Sequence, residues 1–166
     1  MNTPTTGLLA PVSTRSARLK RWVFTRHSNP LSAWSRWASI PLVVLPFWNR
    51  STRAGAAVAA WMLLNPIVFP KPRDEQAWAT RAMLGEELWS ERLRFDTASA
   101  VNAASTAAMT VSIAGAWRQS ARQTFPAAAA QMTLTLVFWK LMTDFYATAA
   151  NPVDRHHNTP LAAACR

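Results

Sequence analysis

Apolar residues fall in four blocks along the chain. Leu31 to Trp48 and Ala54 to Pro70 are largely apolar and are separated only by Asn49-Arg50-Ser51-Thr52-Arg53. Thr97 to Trp117 and Phe125 to Ala150 form a second pair, separated by Arg118 to Thr124. A charged stretch, Lys71 to Asp96, lies between the pairs. Blocks of this length with short polar breaks predict an all-α chain of two helical hairpins joined by a charged linker.

Breakers and caps refine the elements. Pro41 and Pro46 interrupt the first arm, and Asn65-Pro66 and Pro70 the second, because each internal proline removes a backbone hydrogen bond. The fully apolar stretch Ile40 to Trp48 spans only about 14 Å as helix, against a bilayer core of about 30 Å. The first hairpin must therefore recruit Leu31 to Arg36, kink, or enter a membrane without crossing fully. Asp74 can N-cap a helix over about 75–94. Trp78, Ala82, Gly85, Trp89 and Leu93 share one of its faces, with Glu87, Glu91 and Arg94 pointing away. Such a helix can lie on lipid headgroups, or pack on the hairpins with Gly85 allowing close contact. Thr124, Phe125 and Pro126 predict the start of the last helix, and Asn151-Pro152 its end.

The ends read differently. Residues 1–14 are polar and rich in Thr, Ser and Pro, which predicts a disordered tail, and 151–166 a flexible one. Ser16 to Arg26 places Leu19, Trp22 and Val23 on one face among basic residues, as a short interfacial helix would, until Asn29-Pro30 breaks it. No cleavable secretory signal is evident. A single helical membrane domain over 15–150 follows.

Composition sharpens this layout. Half the residues are apolar, 16% are charged and nine are Trp. Trp favours the membrane–water interface, and Trp37, Trp48 and Trp117 fall at or near block ends. A soluble bundle with a Trp core is the competing reading, and a mean hydropathy of −0.02 leans its way. The weakest span is Thr97 to Trp117, rich in Ala, Ser and Thr and carrying Asn102. Small-residue helices of that kind pack closely in membranes.

Charge then sets an orientation. The net charge is +10, and no carboxylate precedes Asp74. Nucleic acid is the reflex partner for such a value, but no helix-turn-helix, zinc-finger or RNA-binding pattern is present. Arg15, Arg18, Lys20, Arg21, Arg26 and Arg36 instead crowd the first apolar block. With four spans, that group shares a side with Lys71, Arg73, Arg81, Arg92 and Arg94, and with Arg155 and Arg166. The other side holds only Arg50, Arg53, Arg118 and Arg122. The richer side, with both termini, is expected to be cytoplasmic and to meet anionic headgroups.

Few residues suggest chemistry. Lys140 and Asp144 are spaced to pair on the last helix, on a stripe with Thr133 and Asn151. Inside a membrane such a pair is costly and points to transport; near a helix end it is a snorkelling Lys with a local partner. Arg26, His27 and Asn29, with Glu86 and Glu87 on the same side, could hold a phosphate headgroup or do acid–base work. The three histidines have no metal-ligand spacing, Cys165 is the only cysteine, and there is no Gly-rich phosphate loop or nucleophile elbow. No metal and no cofactor is expected.

Several short motifs stand out when they are taken together. They are Arg26-His27-Ser28-Asn29-Pro30 with Ser32, Trp34 and Arg36, then Asn65-Pro66 with Phe69-Pro70-Lys71-Pro72. Trp78-Ala79, Ala82, Leu84-Gly85-Glu86 and Trp89 follow, and Lys140-Leu141 with Asp144 end the series. Together these stretches resemble a family of small prokaryotic integral membrane proteins of unknown function; the resemblance covers roughly 26–146 and implies a membrane location, with no reaction attached. Members continue the last motif with an Arg, where this chain has Phe145.

The sequence therefore predicts two membrane hairpins joined by an amphipathic interfacial helix, in a multi-pass protein of the cytoplasmic membrane. The expected role is a non-enzymatic structural or interaction component, with a protein partner or second copy alongside lipid. A headgroup-acting interface enzyme and a small Lys/Asp transporter are the alternatives. The candidate functional cluster is Arg26, His27, Asn29, Glu86, Lys140 and Asp144.

Overall fold

A computed structural model describes residues 26–90 and 95–150. The terminal tails, nearly all of the helix expected at Ser16 to Arg26, and Glu91 to Arg94 lie outside them. The described residues are helical and contain no strand.

The first arm is broken where its prolines fall. Asn29 caps α1 (Pro30–Ala38), its side chain accepting from the Leu31 and Ser32 amides, and Pro30 occupies the first turn. Pro41 follows in a 3-10 turn, Ile40–Val44, and Pro46 in the short α2 (Leu45–Trp48). Arg50 adopts a left-handed φ of 49° to reverse the chain. Ser51 then caps α3 (Thr52–Val68). Here the expectation needs correction: Asn65-Pro66 does not interrupt the second arm. Pro66 sits in the last turn of α3, and the helix runs on to Val68 before Pro70 forces Phe69 into extended backbone.

The linker helix is shorter at its start than expected. Asp74 accepts from the Gln76 amide and closes a local turn, and α4 (Trp78–Ser90 as described) begins afterwards. α5 (Thr97–Trp117) starts at a capping box in which Asp96 and Ser99 exchange backbone and side-chain bonds. α6 (Ala121–Ala150) begins before the expected Thr124, so Pro126 lies inside it.

The two hairpins are present in space. Ser32 pairs with Asn65, and Ser39 with Trp61, so the first arm runs antiparallel to α3. Ser112 pairs with Thr124, and Ser105 with Thr135, which sets α5 antiparallel to α6. Both turns lie together at one end: the Arg50 guanidinium sits 5.4 Å over the Trp117 ring, and Trp48 stacks on Phe125. α5 meets α6 through Ala98, Ser105, Ser112 and Gly115, a stripe of small residues that lets the backbones approach.

α4 does not lie outside this assembly. It buries Ala79, Thr80, Ala82, Met83 and Gly85. With Ala33, Ala98, Phe138, Trp139 and Met142, its Ala79, Ala82 and Met83 form the core. Of the two readings of this helix, the packed one describes its buried face. Trp34 contacts Trp37, Trp78 and Trp139 with ring centroids 5.5–5.9 Å apart. Aromatic pairs of this kind are worth about 0.5–1.5 kcal/mol each beyond their burial. Trp37 therefore belongs to an inner cluster, its indole N–H donating to the Met132 carbonyl, and not to a terminal belt. Trp48 and Trp117 do sit at the turn end.

Among the described residues, no helix is long and apolar enough to cross a membrane. α3 is short, at 17 residues, and α5 is diluted by Ser, Thr and Asn102.

The tightest contact is testable. A Cβ on Gly85 would land on the Met142 backbone carbonyl, whereas one on Gly55 would meet only the Pro46 side chain at 3.7 Å. Gly85→Ala should destabilise by about 2–3 kcal/mol or more. Gly55→Ala should be neutral or gain up to about 1 kcal/mol from helix propensity. Thermal unfolding of the two variants beside the parent checks the pair.

Candidate functional site

Asn29 anchors the site. Its Oδ1 caps α1, and its Nδ2 donates to the Pro70 carbonyl at 2.9 Å, tying the start of the first arm to the end of the second. Two turns along, fully buried Asn65 accepts from Ser32 Oγ at 2.7 Å and donates to Ser35 Oγ at 2.8 Å. A buried amide is tolerable only when its bonds are made, and these are.

Arg36 extends this polar seam. Its Nε donates to the Ser32 carbonyl at 3.3 Å, and its Nη2 points at Met83 Sδ of α4. Its Nη1 lies 2.7 Å from His27 Nδ1 and 2.8 Å from Nε2. A guanidinium only donates, so the imidazole must accept and must be neutral. Burial and the Arg36 charge lower the His27 pKa from 6.5 to about 4. Glu86 is close enough to Arg36 to feel its charge. Burial raises its pKa, and the Arg36 charge partly offsets that. Glu86 forms no ion pair with another described residue; Lys140–Asp144 is the ion pair among them.

Of the candidate residues, His27 bonds Arg36 and Glu86 lies within reach of its charge, while Arg26 and Asn29 stand just before the helix that carries it. Arg26 contributes its carbonyl, which accepts from the Asn29 amide at 3.1 Å. Lys140 and Asp144 are elsewhere. Lys140 Nζ bonds both Asp144 oxygens at 2.8 and 2.6 Å, with the side chains 63% and 58% exposed. The pair is local and at the surface, not in a packed interior. Arg36 and Asn65 were absent from the candidate cluster. Their signal in the sequence was a polar residue inside an otherwise apolar arm.

A cavity of about 330 Å³ opens between α5 and α6, with Glu86 at its α4 wall and Ser105, Gln131 and Thr135 around it. Among the described residues, no group of three or more His, Cys, Asp or Glu is placed to hold a metal ion. The chemistry on offer is recognition by a fixed cation, a carboxyl group and amides.

With this geometry in view, comparison with known proteins identifies a family. Residues 13–128 match the family described as a family of unknown function (DUF6653). The chain belongs to DUF6653. No curated protein and no solved structure matches it. The DUF6653 match contains Arg26, His27, Asn29, Arg36, Asn65 and Glu86, and stops before Lys140 and Asp144. It begins earlier than the resemblance read from the motifs and ends before the last of them.

The His27 environment has a pH consequence. The folded pKa is depressed, so between about pH 6.5 and 4 the unfolded chain binds the extra proton and stability falls as pH falls. Glu86 has the opposite sign, because its raised pKa costs stability as pH rises. Comparing the parent with His27→Gln isolates the histidine. The parent should lose on the order of 2 kcal/mol relative to the variant between pH 7 and 4.5, in melting curves taken across that range.

The exposed pair gives a second prediction. Lys140→Met, Asp144→Ala and the double change Lys140→Met with Asp144→Leu should each shift stability by less than about 1 kcal/mol. Superimposable melting curves are the expected result. A large loss in either single variant, with a milder double, would return the pair to the interior.

Proposed function

We propose that this DUF6653 protein is embedded in the cytoplasmic membrane as a non-enzymatic structural or interaction component. In this reading both termini and α4 lie on the cytoplasmic side, against anionic headgroups. The observation that carries it is the inverted polarity of α3. This helix buries Asn65 and Pro66 and turns Leu63, Leu64, Ile67 and Val68 outward, at 74%, 53%, 46% and 65% exposure. Water does not select such an arrangement, because the hydrophobic effect would drive the leucines in and the amide out. A hydrocarbon surround does select it.

The low apolarity of the other helices has a local origin. Thr106, Thr110, Thr133, Thr135 and Thr143 each donate to the carbonyl four residues back in their own helix. A hydroxyl bonded in this way exposes much less unsatisfied polarity than its residue type implies. The charges also have a depth that supports the reading. The uncharged stretch from Gln123 to Trp139 is roughly 25 Å long as helix, close to the hydrocarbon thickness. Lys140 and Asp144 follow it, where a long side chain reaches the water interface.

A second reading, a small transporter, is favoured by the polar cavity between α5 and α6. Its charged residue would be Glu86, since the Lys140–Asp144 pair is on the surface.

Washing the membrane fraction of cells expressing the protein with alkaline carbonate tests the membrane proposal. The protein should stay in the pellet. Release into the supernatant would overturn it, and would mean that a second copy or another protein covers α3.

A further inference from the structure

Three helices converge on the cavity between α5 and α6, and acceptors outnumber donors among the polar atoms that line it. Thr135 Oγ1 donates to the Gln131 carbonyl at 2.9 Å and receives Gln131 Nε2 at 3.3 Å. Its single hydrogen is thus committed. In its 3.4 Å contact with Ser105 Oγ, Ser105 must then be the donor. Thr106 spends its hydrogen on the Asn102 carbonyl. Thr135 is thereby saturated, while Ser105 and Thr106 have only lone pairs left to offer. Gln131 Oε1 is buried and accepts from no described residue. Glu86 adds the one charged group of the lining.

The remaining wall is apolar and aromatic. Phe138 and Trp139 are each only 6% exposed, and Met109 lies opposite on α5. At about 330 Å³ the space is roughly twice the ~150 Å³ cavity known to take benzene. It far exceeds the volume of a bare metal ion. Acceptors with a carboxylate at one side and aromatic rings at another suit a hydrogen-bond donor that carries positive charge on an apolar body.

We propose that this cavity binds a small organic primary ammonium compound, with Glu86 as its counter-charge and Ser105 and Gln131 as acceptors. Asn102 and Thr106, both exposed, stand at the mouth through which it enters. Phe138 and Trp139 hold the apolar body. Arg36, on α1, is the charge that opposes Glu86 and keeps the empty site from being strongly anionic. A bound ammonium also supplies the donor that Gln131 Oε1 lacks. The site requires only the packing of α4, α5 and α6, so it stands independently of whether the chain is embedded in a membrane.

Isothermal titration of the full chain, in buffer or in the mild detergent that keeps it dispersed, tests this with phenethylammonium as the probe. Saturable binding is expected. 2-Phenylethanol, which matches the probe's shape without its charge, should bind at least tenfold more weakly. Glu86→Gln should weaken phenethylammonium at least tenfold, and Gln131→Leu severalfold, with little change for the alcohol. Sodium ion at equal concentration should not compete. The alcohol comparison uses the parent protein, so the proposal stays testable if a variant misfolds. Absence of saturable binding, equal affinity for alcohol and ammonium, full affinity in a folded Glu86→Gln variant, or equal competition by sodium would each overturn it.

Discussion

The contact between Gly85 of α4 and the Met142 backbone of α6 governs most of what surrounds it. A side chain at position 85 would hold the two helices apart. With glycine there, α4 sinks between the hairpins and carries Ala79, Ala82 and Met83 into the core. The same crossing brings Trp78 against Trp34 and Trp139, and Met83 against Arg36. It also turns Glu86, one residue on, toward both Arg36 and the α5–α6 cavity. One close backbone approach therefore positions the aromatic cluster, the polar seam and the cavity wall together.

The interior is organised as much by hydrogen bonds as by apolar contact. Asn29, Ser32, Asn65 and Thr124 are among its buried polar residues. Asn29 and Asn65 join the two arms of the first hairpin, while Ser112 and Thr124 close the second near its turn. Breaking one of these bonds strands a buried partner, which costs more than the bond's net contribution. Packing of small residues between α5 and α6, together with these specific bonds, holds the second hairpin. α3 departs from the usual rule that apolar residues point inward, since it buries Asn65 and exposes Leu63 and Leu64.

The candidate cluster was partly legible from the sequence. His27 and Asn29 stand beside a proline break, and Glu86 beside a glycine on a helical face. Those local patterns marked them without any knowledge of the fold. Arg36 and Asn65 carried a weaker mark, because one polar residue in an apolar arm is equally a surface residue or an anchor. Ser105, Gln131 and Thr135 carried none. Their role depends on which hydroxyl hydrogens are already spent, and that is a property of neighbours on two helices. Lys140 and Asp144 were plain as a pair, but their spacing is the same whether the face they occupy is buried or wet.

The order of apolar blocks and polar breaks by itself determined the all-helical class, the two hairpins and the boundaries of α5. The breaks at Pro41 and Pro46 were also set locally, since a missing N–H and a fixed φ act within one turn. The tertiary structure decided the rest. It carried α3 two residues past Pro66, and the helix ends only where Pro70 holds Phe69 in extended backbone. It drew α4 inward, because an amphipathic face does not record whether lipid, water or another helix will cover it. It packed Trp37, half-buried, against the core, because an indole serves either place when its N–H finds a carbonyl. Local sequence sets conformations that cost energy within a turn; which surface covers each face is settled only when distant segments compete for it.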